Sequence, residues 1–318
     1  MDKKILQKFR QHPGEFLSGE RMSDEFKISR AALWKHIEKL RALGYIIEAM
    51  PRNGYILKKV PDRLYPDEVS FGLRSKTFGQ EIVYLDITES TNKLCFKLGL
   101  DGKAEGTVVL AEAQTSGKGR MSRQWISPKY GGIYMSILLR PDIPPFMAPQ
   151  ITLVLAVSVA TALRKFHKSD ISIKWPNDIL LKNKKLGGIL TEMDAESDKI
   201  NFIVLGVGIN VNSKKRELPA IGTSLFESDK KTYSRVSILQ SLLFNFEKDY
   251  KVFLKKGFSS FKARWSELSS TLSKQVKVKC MNREFKGLAI GIDIDGALIL
   301  KLENGEEQKV LSGDVFFL

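Results

Sequence analysis

A chain of 318 residues is long enough for two or three domains with buried cores, and its 43% hydrophobic, 27% charged composition is that of an ordinary soluble protein. The formal charge of +15, from 51 basic and 36 acidic residues, fits DNA, an acidic protein substrate or simple solubility, and charge alone does not choose among them. Two isolated cysteines, Cys95 and Cys280, support neither a disulfide framework nor a zinc site; the N-terminus lacks a signal-peptide core and the longest apolar run, Ile151 to Leu163, is too short and Ser/Thr-dotted to span a bilayer, so a cytoplasmic protein without a membrane partner is expected.

Ile5, Leu6 and Phe9 predict a short first helix that stops before Pro13-Gly14. Ser18-Gly19-Glu20 opens a second helix through Phe26, and Ser29 caps a third from Arg30 to about Leu43 that ends at Gly44. In the third, Leu33, Ile37 and Leu40 share one face, which leaves Arg30, Ala31, Trp34 and Lys35 pointing elsewhere, as a DNA-reading helix requires. Trp34 fits either a base-edge contact or an aromatic buried against the next segment. His36 reads as a packed helix residue. Two strand-like runs, Tyr45–Glu48 and Tyr55–Leu57, joined by Pro51-Arg52-Asn53-Gly54, complete a wing. Residues 1–59 carry 13 Lys+Arg against 7 Asp+Glu, a net of +6 that suits phosphate contact, although a winged helix also serves as a protein-interaction module. Two prolines in the segment 59–66 mark the domain junction.

The next region, 67–270, reads as mixed α/β. After the strand Ile82–Leu85, Thr88-Glu89-Ser90-Thr91-Asn92 caps a helix and offers hydroxyl and amide groups to a small molecule. A buried strand, Thr107–Leu110, leads into Gln114-Thr115-Ser116-Gly117-Lys118-Gly119-Arg120-Met121-Ser122-Arg123-Gln124-Trp125. There glycines free the backbone to turn its N–H groups toward a ligand, and three cations suit phosphate or carboxylate. The bland alternative is a solvated, flexible basic loop; neither a Walker A loop nor a Rossmann fingerprint is present. Further strands are Gly132–Leu139 and Ile171–Trp175, and the Ile151–Leu163 run is a buried helix between them. Asn177 and Asp178 fall at a strand end, where a carboxylate can reach nucleotide-bound Mg²⁺ or merely make a turn. Of Lys182, Lys184 and Lys185 at the following hairpin, only Lys185, beside Leu186-Gly187-Gly188, is placed to point inward. Ile203 to Asn212 alternates small and branched residues, so Gly206 and Gly208 suggest close approach by a ligand. Gly222–Leu225 opens a helix, and Ile238 to Phe253 mark a long amphipathic one. Residues 271–318 contain short strands separated by Asp295-Gly296 and Asn304-Gly305 turns, which predicts a small SH3-like β-barrel.

Taken together, Gln114–Trp125, Lys174-Trp175-Pro176-Asn177-Asp178 and Lys185–Leu190 resemble the biotin–protein ligases, and Ser29-Arg30-Ala31-Ala32 followed by Lys35-His36-Ile37 resembles the branch whose members also repress transcription. The resemblance covers most of the chain. It implies an α+β protein with an N-terminal winged helix-turn-helix (1–59), a central mixed α/β, class II synthetase-like ligase domain (67–270) and the C-terminal barrel (271–318). Biotin and ATP (with Mg²⁺) would form biotinyl-5′-AMP, and a lysine of the biotin carboxyl carrier protein of acetyl-CoA carboxylase would then take the biotin. The adenylate would also act as corepressor, with a homodimer on operator DNA.

By resemblance the biotin-binding residues are Ser90, Thr91, Asn92, Gln114, Gly117, Lys118, Gly119, Arg120, Lys185, Gly188 and Gly206, with Lys185 and Arg120 as the catalytic pair. The adenylate falls to Arg123, Trp125, Asn177, Asp178 and Asn210, with Asp178 also the Mg²⁺ contact. DNA falls to Arg30, Ala31, Trp34, Lys35 and Arg52. The family's first loop arginine is Lys118 here, and a basic-glycine pair is Met121-Ser122, which bears on how firmly the intermediate is held. A non-catalytic ligand-sensing repressor and a lipoate or other acyl–protein ligase are the alternatives on the same scaffold.

Overall fold

Leu33, Ile37 and Leu40, the predicted inner face of the third helix, are all buried in the computed structural model. The structure describes residues 1–280 and 283–318. Two units are distinguished, 1–63 and 64–318.

In the first unit, α1 (Asp2–Gln11), α2 (Gly19–Phe26) and α3 (Arg30–Ala42) precede strands β1 (Ile46–Met50) and β2 (Gly54–Lys59). Ser18 and Ser29 accept hydrogen bonds from the Arg21 and Ala32 backbone N–H groups, so both predicted caps form. His36 is a packed helix residue, its Nδ1 2.6 Å from Asp2 Oδ1. The wing turns at Arg52 and Gly54, both with positive φ. A Cβ on Gly54 would lie 2.0 Å from the Leu17 carbonyl oxygen, because Leu17 exchanges two backbone hydrogen bonds with Tyr55.

The second unit runs α4 (Pro66–Ser70), β3 (Ile82–Leu85), α5 (Thr91–Leu100), β4 (Val108–Ala111), β5 (Gly132–Leu139), α6 (Ala148–Arg164), β6 (Ile171–Lys174), β7 (Asp178–Leu181), β8 (Lys184–Ala195) and β9 (Ile200–Asn210). It continues with α7 (Leu225–Asp229), α8 (Arg235–Lys256), α9 (Lys262–Leu268), β10 (Gln275–Cys280), β11 (Arg283–Ile292), β12 (Leu298–Leu302), β13 (Glu307–Val310) and β14 (Asp314–Phe317). Strands β3 to β9 form one sheet in the order β3-β4-β5-β9-β8-β7-β6, with β3 and β4 parallel and the other pairs antiparallel. Helices α6 and α8 cover one face over the main core, and α5 packs against β4, β5 and β9 around Cys95, Val109, Leu138, Phe202 and Val204. Strands β10 to β14 form a five-stranded antiparallel sheet in the order β13-β12-β11-β10-β14.

Two expectations need correction. The apolar run does not end at its Ile151–Leu163 bounds: with the preceding turn it makes a helical stretch of 20 residues, Pro145–Arg164, long and apolar enough by composition to cross a membrane. Its window is nevertheless 78% buried within the protein, which marks it as a core helix between the sheet and α8. Of the two possibilities for Trp34, burial against the wing is ruled out, because its side chain stands in solvent at 53% exposure.

Candidate active site

A cavity of about 470 Å³ opens on the face of the sheet away from α6, where Gly188 on β8 and Gly206 and Gly208 on β9 leave room in its floor. Asp178 on β7 pairs in register with Gly188 on β8, which pairs with Gly208 on β9. One step along β9 on the same face, Ser136, Gly206 and Leu190 form a second row across β5, β9 and β8. Gly206, Gly208 and Asn210 therefore point the same way, about 7 Å apart, and give the cavity a long axis. The glycines are required by close approach: a Cβ on Gly206 would lie 2.0 Å from Asn92 Oδ1, and one on Gly208 would lie 2.4 Å from the Trp125 indole.

Over Gly206 sits a polar cluster from the α5 N-terminus and the β4 loop. Gln114 Oε1 accepts from the Thr91 backbone N–H (2.8 Å) and lies 3.2 Å from Thr91 Oγ1, while Gln114 Nε2 donates to Ser127 Oγ at 3.0 Å. Ser90 is committed to capping α5 through the Lys93 N–H. Asn92 donates to Glu192 (2.8 Å) and to the Leu190 carbonyl (3.4 Å), and its Oδ1 lies 2.6 Å from Ser136 Oγ.

Over Gly208 sits the charged part. The loop 117–125 is a narrow hairpin, closed by the Trp125 N–H to the Gly117 carbonyl (2.8 Å) and the Gly119 N–H to the Arg123 carbonyl (2.7 Å). Its tip, Arg120–Ser122, is a 3₁₀ turn in which Met121 and Ser122 have positive φ. Arg120 donates to Asn177 Oδ1 and to the Gly313 carbonyl, both at 3.2 Å. Burial lowers the affinity of the Arg120 guanidinium for its proton, an effect that nearby Asp314 and Asp178 oppose. Arg123 pairs with Asp314. Lys185 pairs with Asp178 at 2.7 Å and lies 5.7 Å from the Trp125 ring centre. Lys182 and Lys184 are exposed, so the hairpin sends one lysine of three inward.

Trp125 Nε1 and Asn210 Oδ1 are buried without a hydrogen-bond partner among the described residues. An unpaired buried polar group costs about 1–3 kcal/mol, which a polar ligand in this cavity would offset. All the sequence-predicted ligand residues line the cavity except Gly117, whose Cβ position faces the Trp125 carbonyl at 2.5 Å and so serves the hairpin itself.

Residues 84–210 match the Biotin/lipoate A/B protein ligase family, residues 2–56 an HTH domain, and residues 271–318 the Biotin protein ligase C terminal domain. The chain is 40% identical to the Bifunctional ligase/repressor BirA of Bacillus subtilis (strain 168), over 98% of this chain and 97% of that protein. This chain belongs to the bifunctional ligase/repressor family. It is also 30% identical to the BirA of Escherichia coli (strain K12), over 95% of this chain and 93% of that one. Among solved structures it is similar to the biotin protein ligase from Aquifex aeolicus in complex with biotin and ATP, with a TM-score of 0.65, 30% identity, and coverage of 75% of this chain and 99% of that chain.

In this ligase/repressor chain the C-terminal domain supplies wall residues that sequence reasoning missed: Asp314, Val315, Phe316 and Phe317 on β14. A four-residue terminal strand carries no motif, and only its pairing with β10 shows where it goes. Lys174, in the motif that also supplies Asn177 and Asp178, is a further wall cation, 5.1 Å from the Phe317 ring centre, and burial lowers its affinity for a proton. The same motif's Trp175 is structural; its Nε1 donates to the Gly296 carbonyl at 3.1 Å, and it is 2% exposed. In the helix-turn-helix half, Arg30, Ala31, Trp34 and Lys35 on α3 and Arg52 on the wing are all exposed. Arg30 is paired with Glu20 at 2.8 Å, an exposed contact that costs little to exchange for a phosphate.

Proposed function

We propose that the cavity joins biotin to ATP and then to a protein lysine. In the first step a biotin carboxylate oxygen attacks the α-phosphorus, the bond to pyrophosphate breaks, and biotinyl-5′-AMP remains. In the second a lysine ε-amine of a biotin carboxyl carrier protein attacks the acyl carbon, the bond to AMP breaks, and the amine loses a proton. No protein nucleophile takes part, so the rate must come from positioning and from stabilising charge. The observation that supports this reading is the order along β9: a neutral polar cluster over Gly206, cations and an indole over Gly208, then Asn210.

On this reading Thr91 and Gln114, with Ser90 and Asn92 beside them, receive the ureido ring, and Lys118, Gly119 and Gly188 bound the path of the biotin chain. Lys185 and Arg120 hold the carboxylate and α-phosphate together. Trp125 stacks on the adenine, Arg123 closes over the adenylate, and Asn177 and Asn210 bound the nucleotide. Among the described residues no cluster of three or more His, Cys, Asp or Glu could hold a metal. Asp178, whose carboxylate lines the cavity, would be the protein contact of Mg²⁺ arriving on the nucleotide phosphates. The ion would neutralise charge on the departing pyrophosphate.

The helix-turn-helix unit binds operator DNA in this proposal, with the adenylate as corepressor and a homodimer as the binding species, because two copies on one site multiply effective concentration. The test has two arms. Purified protein is given biotin or lipoate with MgATP, followed by pyrophosphate release and mass spectrometry for a retained adenylate; absence of both with biotin, or preference for lipoate, overturns the ligase reading. Operator binding and sedimentation are then measured with biotin alone, ATP alone and both. Equal affinity and mass in all three conditions overturns the corepressor reading.

A further inference from the structure

Glu192 does not line the cavity, yet it is the one charged group in the hydrogen-bond chain beneath the polar cluster. We propose that Glu192 is a positioning residue that fixes the hydrogen-bond polarity of Thr91, and so makes the site specific for a ligand ring that donates N–H. The inference rests on the ligase reading above and deepens it.

The argument follows the protons. A carboxylate only accepts, so Asn92 must present its amide nitrogen to Glu192 Oε2 at 2.8 Å, and the same NH₂ group reaches the Leu190 carbonyl at 3.4 Å. That orientation turns Asn92 Oδ1 toward Ser136 Oγ, 2.6 Å away. An amide oxygen has no proton to give, so the single Ser136 proton goes to Asn92. Ser136, fully buried and 2.9 Å from Thr91 Oγ1, then has only lone pairs to offer Thr91. The Thr91 proton has two acceptors within reach, Ser136 Oγ and Gln114 Oε1 at 3.2 Å, and both belong to the protein. In either case Thr91 Oγ1 is left facing the cavity as an acceptor.

Both amide protons of Asn92 are spoken for, and its side chain lies flat against Gly206, where a Cβ would come within 2.0 Å of Oδ1. Asn92 is therefore the relay between Glu192 and Thr91 rather than a donor to the ligand. A ureido ring carries N–H groups, and a dithiolane ring carries none, so an enforced acceptor favours the first. A ligand that leaves that acceptor unpaired is penalised, the asymmetry by which buried polar groups discriminate.

Glu192→Gln preserves shape and removes the closer of Asn92's two acceptor-only partners, leaving the Leu190 carbonyl at 3.4 Å, so that an inverted Asn92 can face the new NH₂ group. The experiment measures AMP formation by the full chain with biotin and MgATP, for wild type, Glu192→Gln, Glu192→Ala, Ser136→Ala and the Glu192→Gln/Ser136→Ala double variant. The expected result is a biotin KM raised about tenfold by Glu192→Gln, with kcat, the ATP KM and the melting temperature unchanged. The double variant should be no worse than the worse single one, because both act on one chain of protons. A biotin KM within twofold of wild type in Glu192→Gln overturns the proposal. So does a pattern in which only Glu192→Ala is affected, with both KM values, kcat and melting temperature moving together, which is the signature of packing. Failure of the wild type to form AMP from biotin would instead overturn the ligase reading itself.

Discussion

Lys185 Nζ is held 2.7 Å from Asp178 Oδ1, and the pair lies above Gly188, where a Cβ would come 3.5 Å from Lys185 Cε and 3.6 Å from Asp178 Oδ1. The register of β7 and β8 keeps the ammonium inside the cavity at the level of the indole, beside a carboxylate counter-ion.

Lys185→Ala should lower the rate of adenylate formation by roughly 10²–10³, the usual loss for one group that stabilises transition-state charge. The pair keeps 30% and 22% side-chain exposure, so the melting temperature should hardly move. Single-turnover pyrophosphate release with a parallel thermal melt checks both; near-normal turnover would show that Lys185 takes no part in the chemistry.

Arg123 on the ligand hairpin and Asp314 on β14 form a latch between the loop and the C-terminal domain, with Arg120 adding its bond to the Gly313 carbonyl. Asp314→Ala and Arg120→Gly should both still make adenylate but lose it sooner, because on the proposed reading the closed loop excludes water and retains the intermediate. The readout is biotin on lysines of bystander proteins. Equal or slower escape counts against the latch.

Gly206 and Gly208 should separate the two substrates. Gly206→Ala drives a methyl into Asn92 and is expected to raise the biotin KM about tenfold or more, whereas Gly208→Ala displaces the Trp125 indole and should act on the ATP KM. Steady-state titration of each substrate at saturating levels of the other decides it; the same substrate affected in both variants would mean the axis along β9 is misread.

Arg235 and Glu112 form an ion pair at 2.6 Å with no exposure of either side chain. Glu112 also accepts from the Leu64 N–H at 2.8 Å, and Arg235 donates to the Gly132 carbonyl at 3.0 Å, so the pair clamps both stems of the ligand loop. Glu112→Ala leaves a buried guanidinium without its carboxylate and should destabilise the fold by about 3–5 kcal/mol. Urea denaturation measures this, and a loss below about 1 kcal/mol would show that the charge is satisfied by other means.

The local structure of this protein was written in short-range signals. Ser18, Ser29, Ser90 and Ser224 each cap the helix that follows, a bond made between residues three apart, and period and apolar content place α3, α6 and α8. The resemblance of Gln114–Trp125, Lys174–Asp178 and Lys185–Leu190 to a known family points to one site, and the fold brings the three stretches around one cavity. Composition and spacing could not say which of them reach the ligand. Asn92 hydrogen-bonds Glu192 and Ser136, 100 and 44 residues away, and Gly117 is packed against the Trp125 carbonyl inside the hairpin. The wall formed by β14 and the buried Glu112–Arg235 clamp were likewise decided only by tertiary pairing, because a four-residue strand and a lone arginine acquire meaning from partners that no local pattern names.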